Sequence, residues 1–178
     1  SIACSFPVYF YAGPGAWICE IIVDDLVDYE VDVTNSTYVN QLAAINVQES
    51  SLDFGHMAPG TTTGTVDFPI VIENRGNVGF DVAINAFSSS LGDGLSMSCG
   101  SYDLGSEKLA YSGFQSVDYS MKTSAVSNYG VGSIAINVPV QVSGTQPMSN
   151  SIYFGYGLED EARYGSCSGN LRVTAVPS

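Results

Sequence analysis

The sequence predicts an all-β protein, an antiparallel sandwich of two facing sheets. Three observations carry that prediction. Apolar and polar residues alternate with period two through most of the chain. No segment keeps an apolar stripe at helical spacing for three turns. Gly, Pro and Asn interrupt the chain every 8 to 15 residues, the rhythm of a sandwich or barrel. A strand with one apolar face needs a second layer to cover it, so these strands imply two sheets around one core.

Taken in order, the first stretch, "SIACSFPVYFYAGPGAWICEIIV", departs from the pattern. Its apolar residues stand at successive positions: Phe6, Val8, Tyr9, Phe10 and Tyr11, then Trp17, Ile18, Ile21, Ile22 and Val23. Such a run calls for burial on both faces, either in its own domain or in a neighbour's. Residues 1–23 are therefore set apart as an extended N-terminal segment, ahead of a sandwich domain over residues 24–178. Alternation begins with Val27, Tyr29, Val31 and Val33 against Asp28, Glu30 and Asp32. "STYVNQLAAINV" is short and rich in β-branched residues, so one helical turn is the most expected there. Val66, Phe68, Ile70 and Ile72 form the next run, and after "NRGN" come Val78, Phe80, Val82 and Ile84. Further runs are Val117, Tyr119 and Met121; Ile134, Ile136, Val138, Val140 and Val142; Ile152, Phe154, Tyr156 and Leu158; and Leu171, Val173 and Ala175. Pro69 and Pro139 sit inside two of these runs. A missing N–H breaks a ladder bond, so each marks an edge or a bulge.

Composition narrows the function. Of 178 residues only 13% are charged, and eighteen acids against five bases leave a net charge of −13. Phosphate binding needs clustered Lys and Arg, so nucleic acid is excluded as a partner, as is docking on anionic lipid. No apolar run approaches the ~20 residues that span a bilayer. The sequence begins at Ser1 without Met, as a chain trimmed by signal peptidase or by cloning would. Four cysteines, Cys4, Cys19, Cys99 and Cys167, form an even set without CxxC spacing, the usage of an oxidising, extracellular compartment. Three pairings are open to them, and proximity in sequence favours Cys4–Cys19 with Cys99–Cys167. The sequon Asn35-Ser36-Thr37 offers a glycosylation site in the same compartment.

Reactive groups are sparse. "GSCSG" outlines a nucleophile elbow with Cys167 in the nucleophile's place, but that motif needs a strand-to-helix turn and a His partner. A strand follows here and the one His is His56, so a disulfide cysteine in a turn is the better reading. His56, alone in "FGHMAPG", reads as an exposed loop residue rather than a zinc ligand. Asp24, Asp25, Asp28, Glu30 and Asp32 form one acidic cluster, and Glu159, Asp160 and Glu161 another. Ca²⁺ takes oxygen ligands of this kind. Alternate residues on a strand stand ~7 Å apart, however, too far to chelate without a second strand. The clusters read as solvated acidic faces, with Ca²⁺ the alternative and no cofactor required. Paired carboxylates for glycoside hydrolysis are not marked by spacing. Of the aromatic residues, Trp17 in "GPGAWIC" stands out as an interface anchor or a sugar platform.

The stretch "LDFGHMAPGTTTGTVDFPIVIENRGNVGFDVAI" resembles the strand–"LxFGxxxPG"–strand–"NxGNV"–strand pattern of camelysin/TasA-like secreted β-sandwiches. Archaeal surface-filament subunits, the thread and bundling-pilus proteins, are related in plan. "IYFGYGLEDEARYGSCSGNLRVTAV" looks like the closing strand pair of the same layout, and the likeness covers about residues 42 to 176. The resemblance implies a jelly-roll or Ig-like sandwich; the sparse reactive groups, on their side, favour a structural subunit over an enzyme. The resemblance also implies a homopolymer formed head to tail, the extended segment of one subunit completing the next subunit's sheet. Two departures stand against it. Camelysin is described as a protease, yet no HExxH occurs here, and a Cys4–Cys19 bond would make the donor a stapled hairpin.

The expectation is therefore a secreted, cell-surface filament subunit. Phe6, Val8, Tyr9, Phe10, Tyr11 and Trp17 form its donor interface, and it touches neighbouring filaments or cell surfaces. The rivals are a monomeric adhesion or carbohydrate-binding module of the cell envelope, and a secreted hydrolase.

Overall fold

A strand whose inner residues are Ile, Val and Phe gains by pairing only when a second sheet dries that face, and the chain does this twice. The computed structural model describes residues 7–24, 29–127, 133–142, 147–161 and 165–177. Among these residues twelve strands follow in order: β1 (Gly15–Asp24), β2 (Tyr29–Val39), β3 (Ile45–Val47), β4 (Phe68–Asn74), β5 (Phe80–Phe87), β6 (Leu95–Ser98), β7 (Asp103–Gly105), β8 (Leu109–Ser112), β9 (Thr123–Ser124), β10 (Ser133–Val138), β11 (Ser149–Tyr156) and β12 (Asn170–Pro177). The protein is all-β; among the described residues helical structure is confined to two 3-10 turns, Ser106–Lys108 and Tyr119–Met121.

One sheet has five strands in the order β3-β4-β11-β8-β9, and the facing sheet has three, β10-β5-β12. All their pairings are antiparallel. Between them lies the core, built from the alternating positions: Ile70 and Ile72 of β4, Phe80, Val82 and Ile84 of β5, Val138 of β10, Ile152 and Phe154 of β11. Tyr156 and Tyr111 are buried in the same cluster. Tyr156 keeps its hydroxyl satisfied by Ser96 Oγ at 2.5 Å, and burial pushes its pKa up to about 12. Among the described residues there are two further two-stranded units, β6–β7 and the hairpin β1–β2.

Three expected runs end differently. Val66 lies outside β4: its N–H closes a turn on the Thr63 carbonyl at 3.0 Å, and its side chain is exposed. Val117, Tyr119 and Met121 form no strand. The Asp118 side chain accepts both the Ser120 N–H at 3.0 Å and its hydroxyl at 2.6 Å, winding the segment into a 3-10 turn. Met121 is then 78% exposed. The run from Ile134 stops at Val138, ahead of Pro139, and Val142 is 83% exposed. Pro69 lies within β4, on the side that faces β3. Pairing there covers only Ile72, Glu73 and Asn74, so its missing N–H interrupts no ladder.

The hairpin is fastened to the sandwich by the corner between β4 and β5. Gly76 approaches the 42–44 backbone so closely that an added Cβ would stand 2.0 Å from the Leu42 carbonyl oxygen and 2.8 Å from the Ala44 nitrogen. That contact lets the Arg75 N–H donate to the Ala44 carbonyl at 2.8 Å.

Candidate functional site

Asn77 ties the N-terminal segment to the sandwich. Asn77, buried in the corner, donates from Nδ2 to the carbonyls of Ala12 at 3.0 Å and Asn40 at 2.9 Å. Ala12 is buried with it. The residues just before are not: Val8 is 57% exposed, Tyr9 56% and Phe10 40%. Their rings also meet Tyr11: those of Tyr9 and Tyr11 stack at 5.3 Å, and Phe10 stands edge-on to Tyr11 at 5.2 Å. Phe6 and Cys4 lie outside the described residues. Consecutive exposed rings of this kind are costly to hydrate.

After Ala12 the chain enters β1, which pairs with β2 from Gly15↔Val39 to Asp24↔Tyr29, with an irregularity between Cys19 and Glu20. Trp17 sits near the base of this hairpin, its indole N–H donating to the Gly13 carbonyl at 2.9 Å. The indole is thus committed to its own turn. Ile18 and Tyr38 are exposed on the hairpin. The register places Asn35 opposite Cys19, and both Ser36 and Thr37 of the sequon are exposed. Of the acidic cluster, Asp24, Glu30 and Asp32 lie on the hairpin, opposite Tyr29, Val23 and Ile21, while Asp25 and Asp28 fall outside the described residues.

Cys99 and Cys167 are joined by a disulfide, so Cys167 is no nucleophile. Cys19 is disulfide-bonded as well, its other half lying outside the described residues. His56 is exposed on the rim of a cavity of about 560 Å³ that Asp53, Tyr102 and Cys167 also line. Asp53 turns its carboxylate to the Gly55 N–H at 2.8 Å. In the second acidic cluster Glu159 is paired with Lys108 at 2.9 Å, while Asp160 and Glu161 are exposed. Among the described residues no three His, Cys, Asp or Glu side chains converge to hold a metal ion. No described helix is long and apolar enough to cross a membrane.

The feature that sequence reasoning missed lies on the open side of the sandwich. β12 is the margin of its sheet and, among the described residues, pairs with β5 alone. Beside it runs a groove of about 430 Å³, lined by Leu171 and Val173 on one flank and by Leu52 and Phe54 on the other, with Ile70 and Leu109 and the polar Glu49, Ser51 and Ser96 also among the lining residues. The flanks are ~120 residues apart in the chain, and only folding brings them together. Sequence offered one signal: "LDFG" alternates like a strand, yet turn residues follow at once.

No family model, curated protein or solved structure matches the chain.

Proposed function

We propose that the protein is a structural subunit of an extracellular filament, in which the N-terminal segment of one copy lies in the open groove of the next. The observation that supports this most is the pairing of two unmet needs on one molecule. Val8, Tyr9 and Phe10 are exposed, and among the described residues the β12 edge has no second strand partner and lies beside a groove that mixes Leu52, Phe54, Leu171 and Val173 with polar side chains. An edge strand with an apolar flank is a template for another chain. Burying the three side chains would contribute ~1.5–3 kcal/mol each, before any backbone pairing. Because tail and groove are different surfaces, the contact is heterologous and propagates into a fibre instead of closing as a dimer.

Surface chemistry agrees with this reading. With 13% charged residues, flanks rich in Ser, Gly and Tyr pack sideways with little desolvation. The Cys99–Cys167 bond suits an oxidising location outside the cell. Negative-stain microscopy of the purified chain, beside a variant lacking residues 1–12, tests the proposal. The intact chain forms fibres and the truncated one stays a less stable monomer. Fibres that persist unchanged after truncation overturn it.

A further inference from the structure

Past Val47 the chain stops pairing with β4, and the reason is local. Gln48 N–H donates to the Val71 carbonyl at 3.1 Å. The Val71 N–H then goes to the Glu49 carboxylate at 2.6 Å instead of to a backbone carbonyl. The next β4 residue facing that way is Pro69, which has no N–H to give. Residues 50–57 peel away and make no backbone–backbone hydrogen bond to any described residue. Side chains alone hold them: Leu52, Phe54 and Met57 pack on the core, and the Phe54 ring lies 4.7 Å from Phe68 and 5.1 Å from Tyr156. The extended stretch ends at Gly55, left-handed at φ 68°.

This strap and β12 are the two flanks of the same groove. Each presents a length of backbone without a strand partner on the groove side among the described residues. A backbone group entering a groove away from bulk water needs a hydrogen-bond partner, and here partners stand on both sides. We propose that residues 50–54 and β12 are two rails of one slot, and that a segment of a second copy, residues 7–11, enters in extended form and pairs with both. Entry turns the strap into a strand and joins the two sheets across the open side. The proposal rests on the filament reading. Two observations pick the occupant. Val8, Tyr9 and Phe10 are already exposed and apolar. Residues 1–19 also carry no charged side chain, so they pass Glu49 at the groove without repulsion.

Hydrogen exchange read by mass spectrometry, on the full chain separated into monomers and fibres, tests it. Exchange slows in fibres over both 50–54 and 170–177. A second variant isolates the strap: Ser51→Pro removes an N–H that has no backbone partner in the monomer. The monomer's melting temperature stays put while fibre elongation slows several-fold, as loss of one backbone bond requires. Fibres in which β12 is protected but 50–54 exchanges at the monomer rate, or an unchanged elongation rate for Ser51→Pro, overturn the second rail and leave the filament reading standing. Fibres protected at neither stretch, or no fibres at all, overturn both.

Discussion

Asn77 and Leu42 hold each other through two reciprocal hydrogen bonds. The Asn77 N–H donates to the Leu42 carbonyl at 2.8 Å, and the Leu42 N–H donates to Asn77 Oδ1 at 2.6 Å. With Nδ2 on Ala12 and Asn40, one side chain ties three points of the N-terminal unit to the sandwich. Asn77→Ala removes three side-chain bonds and strands their partners. At roughly 1 kcal/mol each, it costs about 2–4 kcal/mol in denaturant melts. Limited proteolysis then cuts between residues 12 and 44 before the body unfolds.

Gly76→Ala attacks the same junction by another route. The added methyl meets backbone on the 42–44 segment, which cannot swing aside as a side chain would. A loss of about 2–4 kcal/mol is expected. The Asn77 bonds fail with it, so the double variant costs less than the sum of the single ones.

Glu73 makes the junction sensitive to acid. Hydrogen bonds from Asn46 at 2.8 Å and Gln48 at 2.7 Å, with the Arg75 guanidinium at 2.8 Å, hold its carboxyl below the usual range despite burial. A depressed folded-state pKa gives stability that is present above the unfolded value of 4.5 and lost as pH falls through the folded one. Melting temperature followed from pH 7 downwards should therefore decline below ~4.5, and Glu73→Gln should flatten that part of the decline. An identical acid limb in the variant would show that other carboxylates set it.

Lys122 is the one described lysine with a fully enclosed side chain, paired with Asp67 at 2.7 Å. Asp67 also accepts the Ser116 N–H at 2.5 Å, so the pair straps residues 116–122 over Gly155. Asp67→Ala leaves a buried ammonium and costs about 3–5 kcal/mol, whereas replacing both partners with apolar residues costs much less. A double-mutant cycle by calorimetry reads the difference.

Reducing Cys99–Cys167 releases a crosslink between residues 68 positions apart. Loop closure at that length is worth about 4 kcal/mol. A Cys99→Ala/Cys167→Ala variant, which keeps the Cys19 bond, should therefore melt well below the oxidised parent chain.

Much of the sandwich was legible because strand side chains repeat every two residues. Ile70, Ile72, Phe80, Val82 and Ile84 alternate in sequence and are buried in the structure. Met121 and Val142 followed the same rhythm and lie exposed, since the Asp118 cap and Pro139 act on backbone that periodicity does not sense. The proximity pairing of Cys99 with Cys167 matches the bond observed. The junction was not legible: "NRGN" reads as a turn, and nothing in it tells that Asn77 will reach residues 12, 40 and 42. The groove was hidden for a related reason, its flanks coming from residues 49–54 and 169–173.

The central claim is that the apolar tail finds its cover on another copy. A photo-crosslinking residue placed at Phe10 tests this most directly, in fibres grown from a mixture of isotopically light and heavy chains. The account predicts light-to-heavy crosslinks from position 10 to residues 52–54 or 171–173. Crosslinks confined to single copies would contradict it.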